Sequence, residues 1–411
     1  MSENAALKNT ALMVLSSAIT HDGSYLGGIP AEELSKALHL LEYHAILPVC
    51  YDVLSTAEID RRDMDYVGAV CKRTALQSYR LLFLTRYYVD ILKKAGIGVA
   101  VLKGISIGCD YPAFELRKSG DIDLYLTDGD DIKEAELVMC RGGARKSDEQ
   151  HGGHHVAFVD GETGIEIELH TAFIGGTGSR AMDRAILEAE EQLSDEIADV
   201  RVLGDMELPM LPPHGQALQL LLHMLSHFTG TGFGLRLLLD WVYFWTGDGR
   251  KAAIAEYLRL VRDIGLTKFS DVVTAACTGS LSLDLEVAEL LLSDEWVAKP
   301  KEERESMVDM FMDEVFASEE FGRSDDSRTV IPKRKGIVGL ISQFHEQMKF
   351  NFKRASRIVI LWPLLYIATF FIFLRNNRTI RHTSVSEVIR TAKKRREMFD
   401  ELGVMPGGDR G

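Results

Sequence analysis

Two short strand-like runs, Val99–Leu102 and Asp121–Leu126, constrain the fold of this chain more than any other feature. A glycine turn and a stretch of mixed residues separate them. In the second run polar and apolar residues alternate, and successive side chains of a strand point to opposite faces. Asp121 and Asp123 are therefore predicted to share one face, while the apolar residues of the run face a core. The stretch predicts a strand, a glycine turn, a short helix and a second strand.

The two aspartates indicate a cation site. Like charges this close repel each other and raise the pKa of one carboxyl, unless a cation lies between them. Carboxylate oxygens at the end of a strand suit Mg²⁺, which takes one or two protein carboxylates and completes its coordination with substrate phosphates. Asp121 and Asp123 are therefore candidate ligands of one or two magnesium ions.

A later stretch, Gly164–His170, supplies a third carboxylate. It alternates in the same way, with Glu166, Glu168 and His170 predicted on one face and three apolar residues on the other. Phosphoryl-type transfer needs such an arrangement, because metals must be held against a triphosphate beside the attacking hydroxyl. Two acids on one strand and another on a later strand favour chemistry of that kind.

The motifs of this region, taken together, resemble one known family. They are Leu102-Lys103-Gly104, Tyr111-Pro112, Arg117, Gly120-Asp121-Ile122-Asp123-Leu124 and Glu168-Leu169-His170. This set, with helical flanks on both sides, resembles the uncharacterised nucleotidyltransferase family within the DNA polymerase beta-like superfamily. The resemblance covers roughly residues 30 to 290. It implies an α+β fold in which a small mixed-sheet core is flanked by N- and C-terminal helical regions.

The resemblance also implies roles for individual residues. Carried over by position, the nucleotide-binding residues are Lys103, Gly104, Ser106, Arg117 and Gly120, and the catalytic and metal-binding residues are Asp121, Asp123 and Glu168. The phosphate turn of the family usually carries Gly-Ser or Gly-Gly, whereas here Lys103 precedes Gly104 and the nearest serine is Ser106. Phosphate binding through backbone N–H groups at a helix start survives that difference.

The reaction that the resemblance implies is metal-dependent transfer of a nucleoside monophosphate from a nucleoside triphosphate, ATP among the candidates, to a hydroxyl acceptor. Two residues keep more than one interpretation. Arg117 contacts a phosphate, or it forms a salt bridge with Glu115 or Asp121. His170 orients Glu168 or contacts the leaving pyrophosphate, or it is a strand-end histidine that is hydrogen-bonded in the core.

Histidines form two further groups, each with two interpretations. The run His151–His155 is either part of a zinc site, for which no further ligand at fixed spacing is evident, or an ordinary polar turn, which we favour. His223 and His227 lie four residues apart on a predicted helix, but Met224 replaces the glutamate of the H-E-x-x-H zinc pattern. Packing or substrate contact is the interpretation we favour for this pair.

Charge and cysteine content exclude several classes of protein. The formal net charge is −14, which argues against general nucleic-acid binding, because that affinity comes from neutralising phosphates with Lys and Arg. The five cysteines are widely spaced without a C-x-x-C pair, so they are predicted to be thiols in a reducing compartment. The apolar run Ala11–Ile19 lacks the basic flank of a signal peptide. A cytoplasmic location is therefore expected.

Composition divides the chain into five predicted regions. They are a helical lead-in (1–95), a nucleotidyltransferase α/β core (96–210), a helical domain (211–300), a charged helix and linker (301–340) and a hydrophobic and basic helical tail (341–411). In the lead-in, Leu76, Tyr79, Phe83 and Tyr87 repeat every three or four positions. This spacing predicts a helix that packs against the sheet.

The tail contains an apolar stretch of 17 residues, 358–374, with basic residues on both sides. Three interpretations stay open: a transmembrane span, an interfacial helix whose basic flanks meet anionic lipid, and a buried helix that covers the catalytic domain. Contact with a membrane surface through residues 353–381 would place the protein at, or anchored in, the inner face of the membrane.

Two functions of different classes are compatible with these patterns. One is the nucleotidyltransferase. The other is a nucleotidyltransferase-like fold kept as a non-catalytic binding or scaffold protein at the membrane in envelope polysaccharide assembly. Acids at all three positions, Asp121, Asp123 and Glu168, favour the enzyme, and the hydrophobic tail favours a membrane-associated role.

Overall fold

Helices and one mixed β-sheet make up the part of the chain that the structure describes. The structure is a computed structural model, and it describes residues 3–147, 154–318, 344–345, 347–349, 351–352, 355–379, 393 and 396–404. The helices are α1 (Glu3–Thr20), α2 (Ala31–Tyr43), α3 (Tyr51–Ser55), α4 (Arg61–Lys94), α5 (Gly104–Gly108), α6 (Ile132–Arg141), α7 (Arg180–Ser194), α8 (Pro213–Thr229), α9 (Leu235–Thr246), α10 (Ile254–Ile264), α11 (Thr267–Ser280), α12 (Leu285–Leu291), α13 (Asp294–Val297), α14 (Lys301–Phe316) and α15 (Trp362–Thr379). The strands are β1 (Val99–Leu102), β2 (Asp121–Leu126), β3 (Ala144–Lys146), β4 (His155–Asp160), β5 (Glu166–His170), β6 (Ala198–Leu203) and β7 (Met206–Met210). Helical regions on both sides of a mixed sheet confirm the predicted α+β fold.

The strands form a seven-stranded sheet in the order β3-β4-β5-β2-β1-β7-β6. Two neighbouring pairs are parallel, β2 with β5 and β1 with β7. The other pairs are antiparallel. Because β2 lies in the middle of the sheet, its backbone is hydrogen-bonded along both edges and its register is set from two sides.

Each face of β2 is buried against a different part of the molecule. Ile122, Leu124 and Leu126 are at most 2% exposed and pack into a core with α4 and α6. On the other face Tyr125 packs edge-on against Phe173, with ring centroids 5.0 Å apart, in the core of the helical region. The alternation predicted for β2 is confirmed, and the acids of this strand share the face of Tyr125.

Helix α4 covers the apolar face of the sheet, and only part of its prediction is right. The helix exists, but its predicted inner face is exposed: Leu76 and Phe83 are 53% and 58% exposed, and Tyr79 and Tyr87 are also exposed. The buried face is a different one, which includes Leu82 at 0%. Large apolar residues lie on both faces of α4, so their periodicity does not decide which face meets the sheet.

The helices that follow the sheet build a second core, and a buried salt bridge connects it to the segment before β2. Asp240 of α9 is 0% exposed. Its carboxylate accepts hydrogen bonds from Arg117, with Nε to Oδ1 at 2.8 Å and Nη2 to Oδ2 at 2.7 Å. The Tyr111 hydroxyl donates to the same carboxylate at 2.6 Å. Such bidentate pairing is directional, so it fixes α9 relative to the strand that carries the acids.

The C-terminal part of the chain is described in pieces. Most of the predicted charged linker falls on residues 319–343, which lie outside the described residues. None of the helices in the described part of the chain combines the length and the apolar character needed to cross a bilayer. The boundaries of the five predicted regions stay a prediction.

Replacing Arg117 by alanine should destabilise the fold strongly, because the Asp240 carboxylate would stay buried without its cation. We expect the free energy of unfolding to fall by about 3–5 kcal/mol, measured by urea denaturation. Arg259→Ala is the matched control. Its guanidinium pairs with Glu256 and Asp263 from a side chain that is 39% exposed, and its loss should cost less than about 1 kcal/mol. Equal losses in the two variants would contradict this role of Arg117.

Candidate active site

Three carboxylates come together on neighbouring strands. Asp121 and Asp123 lie at the start of β2, and the parallel pairing with β5 sets Asp123 beside Glu168. Asp123 is 4% exposed, whereas the Glu168 side chain is 19% exposed. The pairing of two strands that are far apart in sequence therefore brings the third predicted acid to the other two, and Glu168 is the more accessible member of this pair.

His170 connects the acids of the two strands. Its Nε2 lies 2.8 Å from Asp123 Oδ1 and 3.1 Å from Glu168 Oε2, and its side chain is 2% exposed. Burial lowers the pKa of His170 and Lys103 acts in the same direction, but the hydrogen bonds to the two carboxylates outweigh both and raise the pKa above its usual value. His170 is thus a hydrogen-bond donor that both acids share.

Lys103 supplies a positive charge to the same cluster. It lies in the turn between β1 and α5, and its Nζ is 2.8 Å from Asp123 Oδ1. Burial raises the pKa of the Asp123 carboxyl, yet the Lys103 ammonium and the hydrogen bond from His170 together hold that pKa well below its usual range. Asp123 is therefore a carboxylate, and it is compensated from two sides.

Asp121 is compensated only in part. Burial and the neighbouring Asp123 carboxylate raise the pKa of Asp121 to about 6, and the ammonium of Lys103 offsets only part of this. Two carboxyls on one face of β2 thus have pKa values pushed in opposite directions, as expected for like charges held close together in a buried place.

The donor set of this cluster fits a divalent cation. Asp123, Glu168 and His170 each offer one ligand atom, and the three atoms lie within 4.8 Å of one another. Asp121 lies two residues from Asp123 on the same face of the strand. Carboxylate oxygens are the ligands that Mg²⁺ prefers. A cation would also relieve the repulsion that raises the pKa of Asp121, so the electrostatics and the donor chemistry agree.

The turn before α5 has an unusual backbone. Lys103 and Gly104 both have φ of 40°, a region that L side chains rarely adopt. Ser106 is 2% exposed, and its backbone N–H and its hydroxyl both donate to the Lys103 carbonyl, at 2.7 and 2.9 Å. The serine therefore closes the turn. Gly120, which the sequence analysis also assigned to the nucleotide, is exposed just before β2.

The structure gives Arg117 partners other than the predicted phosphate. Its guanidinium is 5% exposed and pairs with Asp240, and its Nη1 donates to the Ser119 hydroxyl. The alternative prediction, that Arg117 forms a salt bridge, is correct for the kind of contact. It is wrong for the partner, which is Asp240 and neither Glu115 nor Asp121. Because this guanidinium is buried and already paired, Arg117 positions α9 and has no part in the nucleotide site proposed below.

Strand β4 adds a histidine that the sequence analysis assigned to a polar turn. His155 is the first residue of β4, and the antiparallel register places it opposite His170. Its Nε2 lies 3.5 Å from Glu168 Oε1, and its side chain is 6% exposed. The polar-turn prediction is wrong for this residue, while His151 lies outside the described residues. Extending the alternation of the strand by one residue would have identified His155.

Helix α8 brings His223 and His227 near the same acids. Their ring centroids are 4.5 Å apart. Burial, and to a lesser extent Lys103, lowers the pKa of His227 to about 4 and that of His223 well below its usual value. Both imidazoles are therefore neutral at physiological pH. The charges of Lys103 and Asp123 both act on the two rings, so the rings lie within electrostatic reach of the cluster.

The chain can now be compared with known families. A family model described as uncharacterised nucleotidyltransferase matches residues 30–279, more than half of the chain. The chain belongs to this family. The match includes all of the strands and each residue of the candidate site, and it confirms the resemblance that the sequence motifs indicate. A comparison with curated proteins found no match.

The pKa of Asp121 leads to a test of the site's electrostatics. Between pH 3.8 and about 6 the folded protein retains a proton that the unfolded chain has released, so the Asp121 carboxyl costs stability as the pH rises through this window. Asp121→Asn should therefore be more stable than wild type by roughly 3 kcal/mol above pH 7 and by little near pH 4. Urea denaturation in the presence of a chelator measures the difference.

Asp130→Asn is the control, because Asp130 is an exposed acid in the turn after the same strand. It should leave the stability unchanged at both pH values. A stability gain of Asp121→Asn that does not depend on pH would contradict the raised pKa of Asp121.

Proposed function

We propose that this protein is a metal-dependent nucleotidyltransferase that moves a nucleoside monophosphate from a nucleoside triphosphate to a hydroxyl acceptor. Family membership supports the reaction class. The observation that carries the proposal is the cluster of Asp121, Asp123 and Glu168, in which three acids are concentrated on one face of a sheet around the buried Asp123. Structural ion pairs are normally compensated, and an excess of buried acid is typical of a functional site.

The three carboxylates would hold one or two Mg²⁺. When bound, such ions supply charge stabilisation to the triphosphate and to the reacting oxygens. The oxygens of Asp121 and Asp123 lie on one face of β2, and Glu168 faces them from β5, so the ligands come from two strands whose backbones are hydrogen-bonded. Rigid strands keep the ligands in place, which suits a reaction that depends mainly on positioning.

The turn at Lys103 and Gly104 would receive the β- and γ-phosphates. Its backbone lies at the start of α5, directly beside the first acid of β2, because β1 and β2 are adjacent strands. Lys103 already neutralises Asp123 at 2.8 Å. The same ammonium would neutralise phosphate charge as well, since a triphosphate bound through the metal would approach these acids.

The acceptor hydroxyl must lose its proton as its oxygen attacks the α-phosphorus. Glu168 would either complete the metal site or accept this proton. Burial raises the pKa of its carboxyl, but the hydrogen bond from His170 outweighs burial and lowers the pKa, so the side chain is an ionised carboxylate. The new O–P bond forms while the bond from the α-phosphorus to the bridging oxygen breaks, and pyrophosphate leaves. His170 positions the Glu168 carboxylate during this step.

Helix α8 would form the wall of the acceptor pocket. The neutral imidazoles of His223 and His227 lie opposite the acids and offer hydrogen-bonding groups without adding charge. The acidic chain as a whole, at −14, repels polyanions, so we propose a neutral or cationic acceptor and no general nucleic-acid binding.

Replacing both Asp121 and Asp123 by alanine should abolish Mg²⁺-dependent nucleotide binding and lower turnover by at least about 10³-fold, since charge stabilisation is usually the largest catalytic contribution. Binding is measured by calorimetry with a panel of triphosphates, and turnover by untargeted mass spectrometry of nucleotide-modified products. Asp130→Ala with Asp131→Ala is the matched control, a pair of acids in the turn after the same strand. It should behave like wild type.

Full Mg²⁺-dependent affinity in the Asp121 and Asp123 double variant would refute the enzymatic proposal. A wild-type protein that binds nucleotide but modifies no acceptor would instead support the non-catalytic scaffold in envelope polysaccharide assembly.

We further infer that the exposed face of α15 meets an anionic lipid surface. Large apolar side chains on this face are between 48% and 65% exposed, and they are Leu364, Ile367, Phe370 and Phe371. Their spacing of three or four residues places them on one side of the helix. The other side is covered, because Leu365 and Thr369 are buried and the Tyr366 hydroxyl lies 2.6 Å from His345 Nδ1.

The charge of the surrounding sequence favours anionic lipid as the partner. The chain as a whole is acidic, yet residues 347–386 contain basic residues and no Asp or Glu. The basic residues are Lys349, Lys353, Arg354, Arg357, Arg375, Arg378 and Arg381. An apolar helix face with basic residues at both ends is typical of interfacial helices, whose affinity combines apolar burial with attraction to anionic headgroups.

Ile367→Glu with Phe371→Glu should weaken binding of the full chain to vesicles of phosphatidylglycerol and phosphatidylcholine by at least about tenfold, because it removes apolar burial and adds repulsion. Flotation measures the bound fraction. Leu76→Glu with Phe83→Glu is the matched control, since both residues are equally exposed on α4, and it should bind like wild type. Equal vesicle binding of the two double variants would contradict the inference. It would also be contradicted if the wild-type protein formed a dimer without lipid and the substitutions at Ile367 and Phe371 dissociated that dimer.

A further inference from the structure

Three histidine rings surround one point beside the acids. His154 and His155 come from the start of β4 and His170 from the end of β5. One ring nitrogen of each lies within 4.8 Å of the others. The ring centroids are 4.6 Å apart for His154 and His155, 5.8 Å for His154 and His170, and 5.2 Å for His155 and His170. Each ring thus has the other two as neighbours.

These separations match imidazoles that share one ion. A Zn–N bond of about 2.0–2.1 Å puts an imidazole ring centre about 3 Å from the metal, and tetrahedral angles then place the ring centres about 5 Å apart. Packed aromatic rings also contact at such distances, so the separations need a second observation to distinguish the two cases.

The second observation is the hydrogen bonding of His170. Its Nε2 contacts the Asp123 carboxylate at 2.8 Å and therefore carries a hydrogen. Its Nδ1 is buried and, among the residues that the structure describes, has no hydrogen-bond partner. A histidine that binds a metal generally donates its other ring N–H to a carboxylate, which orients the ring and leaves a lone pair for the metal. His170 has this arrangement at a side-chain exposure of 2%.

We propose that His154, His155 and His170 form a site for a transition-metal ion of the zinc class, next to the carboxylate site and connected to it through Glu168. Imidazole nitrogens suit Zn²⁺ and carboxylate oxygens suit Mg²⁺, so the two donor sets select different ions. Glu168 Oε1 lies 3.5 Å from His155 Nε2 and is the carboxylate placed to complete the coordination. The inference does not depend on nucleotidyl transfer.

Two functions follow from the position of this site. The ion would fix the start of β4 against the end of β5, where the register pairs His155 with His170. It would also orient His170, whose opposite nitrogen contacts Asp123. The imidazole site is thus a positioning device for the acids, and its ion acts on them through His170.

The test uses the full chain, stripped of metal with a chelator and then titrated with Co²⁺, whose visible absorption distinguishes four-coordinate from six-coordinate binding. We expect one equivalent with the intense spectrum of a four-coordinate site, displaced by Zn²⁺ but not by Mg²⁺. His154→Ala with His155→Ala should weaken Co²⁺ binding at least about 100-fold. His223→Ala with His227→Ala, a neighbouring histidine pair whose rings are also in contact, should retain the site.

The result is separable from the proposed function. Asp121→Ala removes a carboxylate ligand but leaves the three imidazoles and the Asp123 contact of His170, so it should lose nucleotide binding and keep the Co²⁺ spectrum. A six-coordinate spectrum in wild type would overturn the proposal, whether or not the His154 and His155 variant folds. Equal Co²⁺ affinity in wild type and in that variant would also overturn it.

Discussion

The buried carboxylate of Asp123 is the constraint on which the rest of the structure depends. Removing a charge from water costs several kcal/mol unless it is paired and hydrogen-bonded. Asp123 meets this requirement through Lys103 and His170, each 2.8 Å from the same oxygen. Lys103 comes from the turn after β1 and His170 from the end of β5, so this one charge holds a turn and a strand against β2. The candidate active site is thus also part of what organises the centre of the sheet.

Two buried acids, Asp240 and Asp123, illustrate how a structural ion pair differs in charge balance from the candidate active site. Asp240 is paired with one guanidinium, which uses both carboxylate oxygens, and the pair connects two parts of the fold. The cluster around Asp123 is not balanced in this way, because Asp121 adds charge that its neighbours neutralise only in part. A protein retains such repulsion where function needs it, at a cost in stability.

The helices show where patterns in a sequence stop being informative. The periodicity of α4 predicts a helix, and the helix is present, but Leu76 and Phe83 face outward while Leu82 is buried. Both faces carry large apolar residues, and their relative burial depends on what the sheet presents to them. The apolar tail is similar: its composition left three interpretations open, and only the structure shows that Ile367 and Phe371 are exposed on α15.

The sequence by itself determined β1, β2 and β5 and the acids that they carry, because alternation along a strand is a local property: it places Asp121 and Asp123 on one face whatever surrounds them. Only the tertiary structure decided which strands are neighbours. The pairing of β2 with β5 brings Glu168 to Asp123, and that of β4 with β5 brings His155 to His170. Which strands pair, and in which register, depends on the combined energy of many contacts across the whole sheet. The spacing of residues within one stretch of sequence does not contain that information.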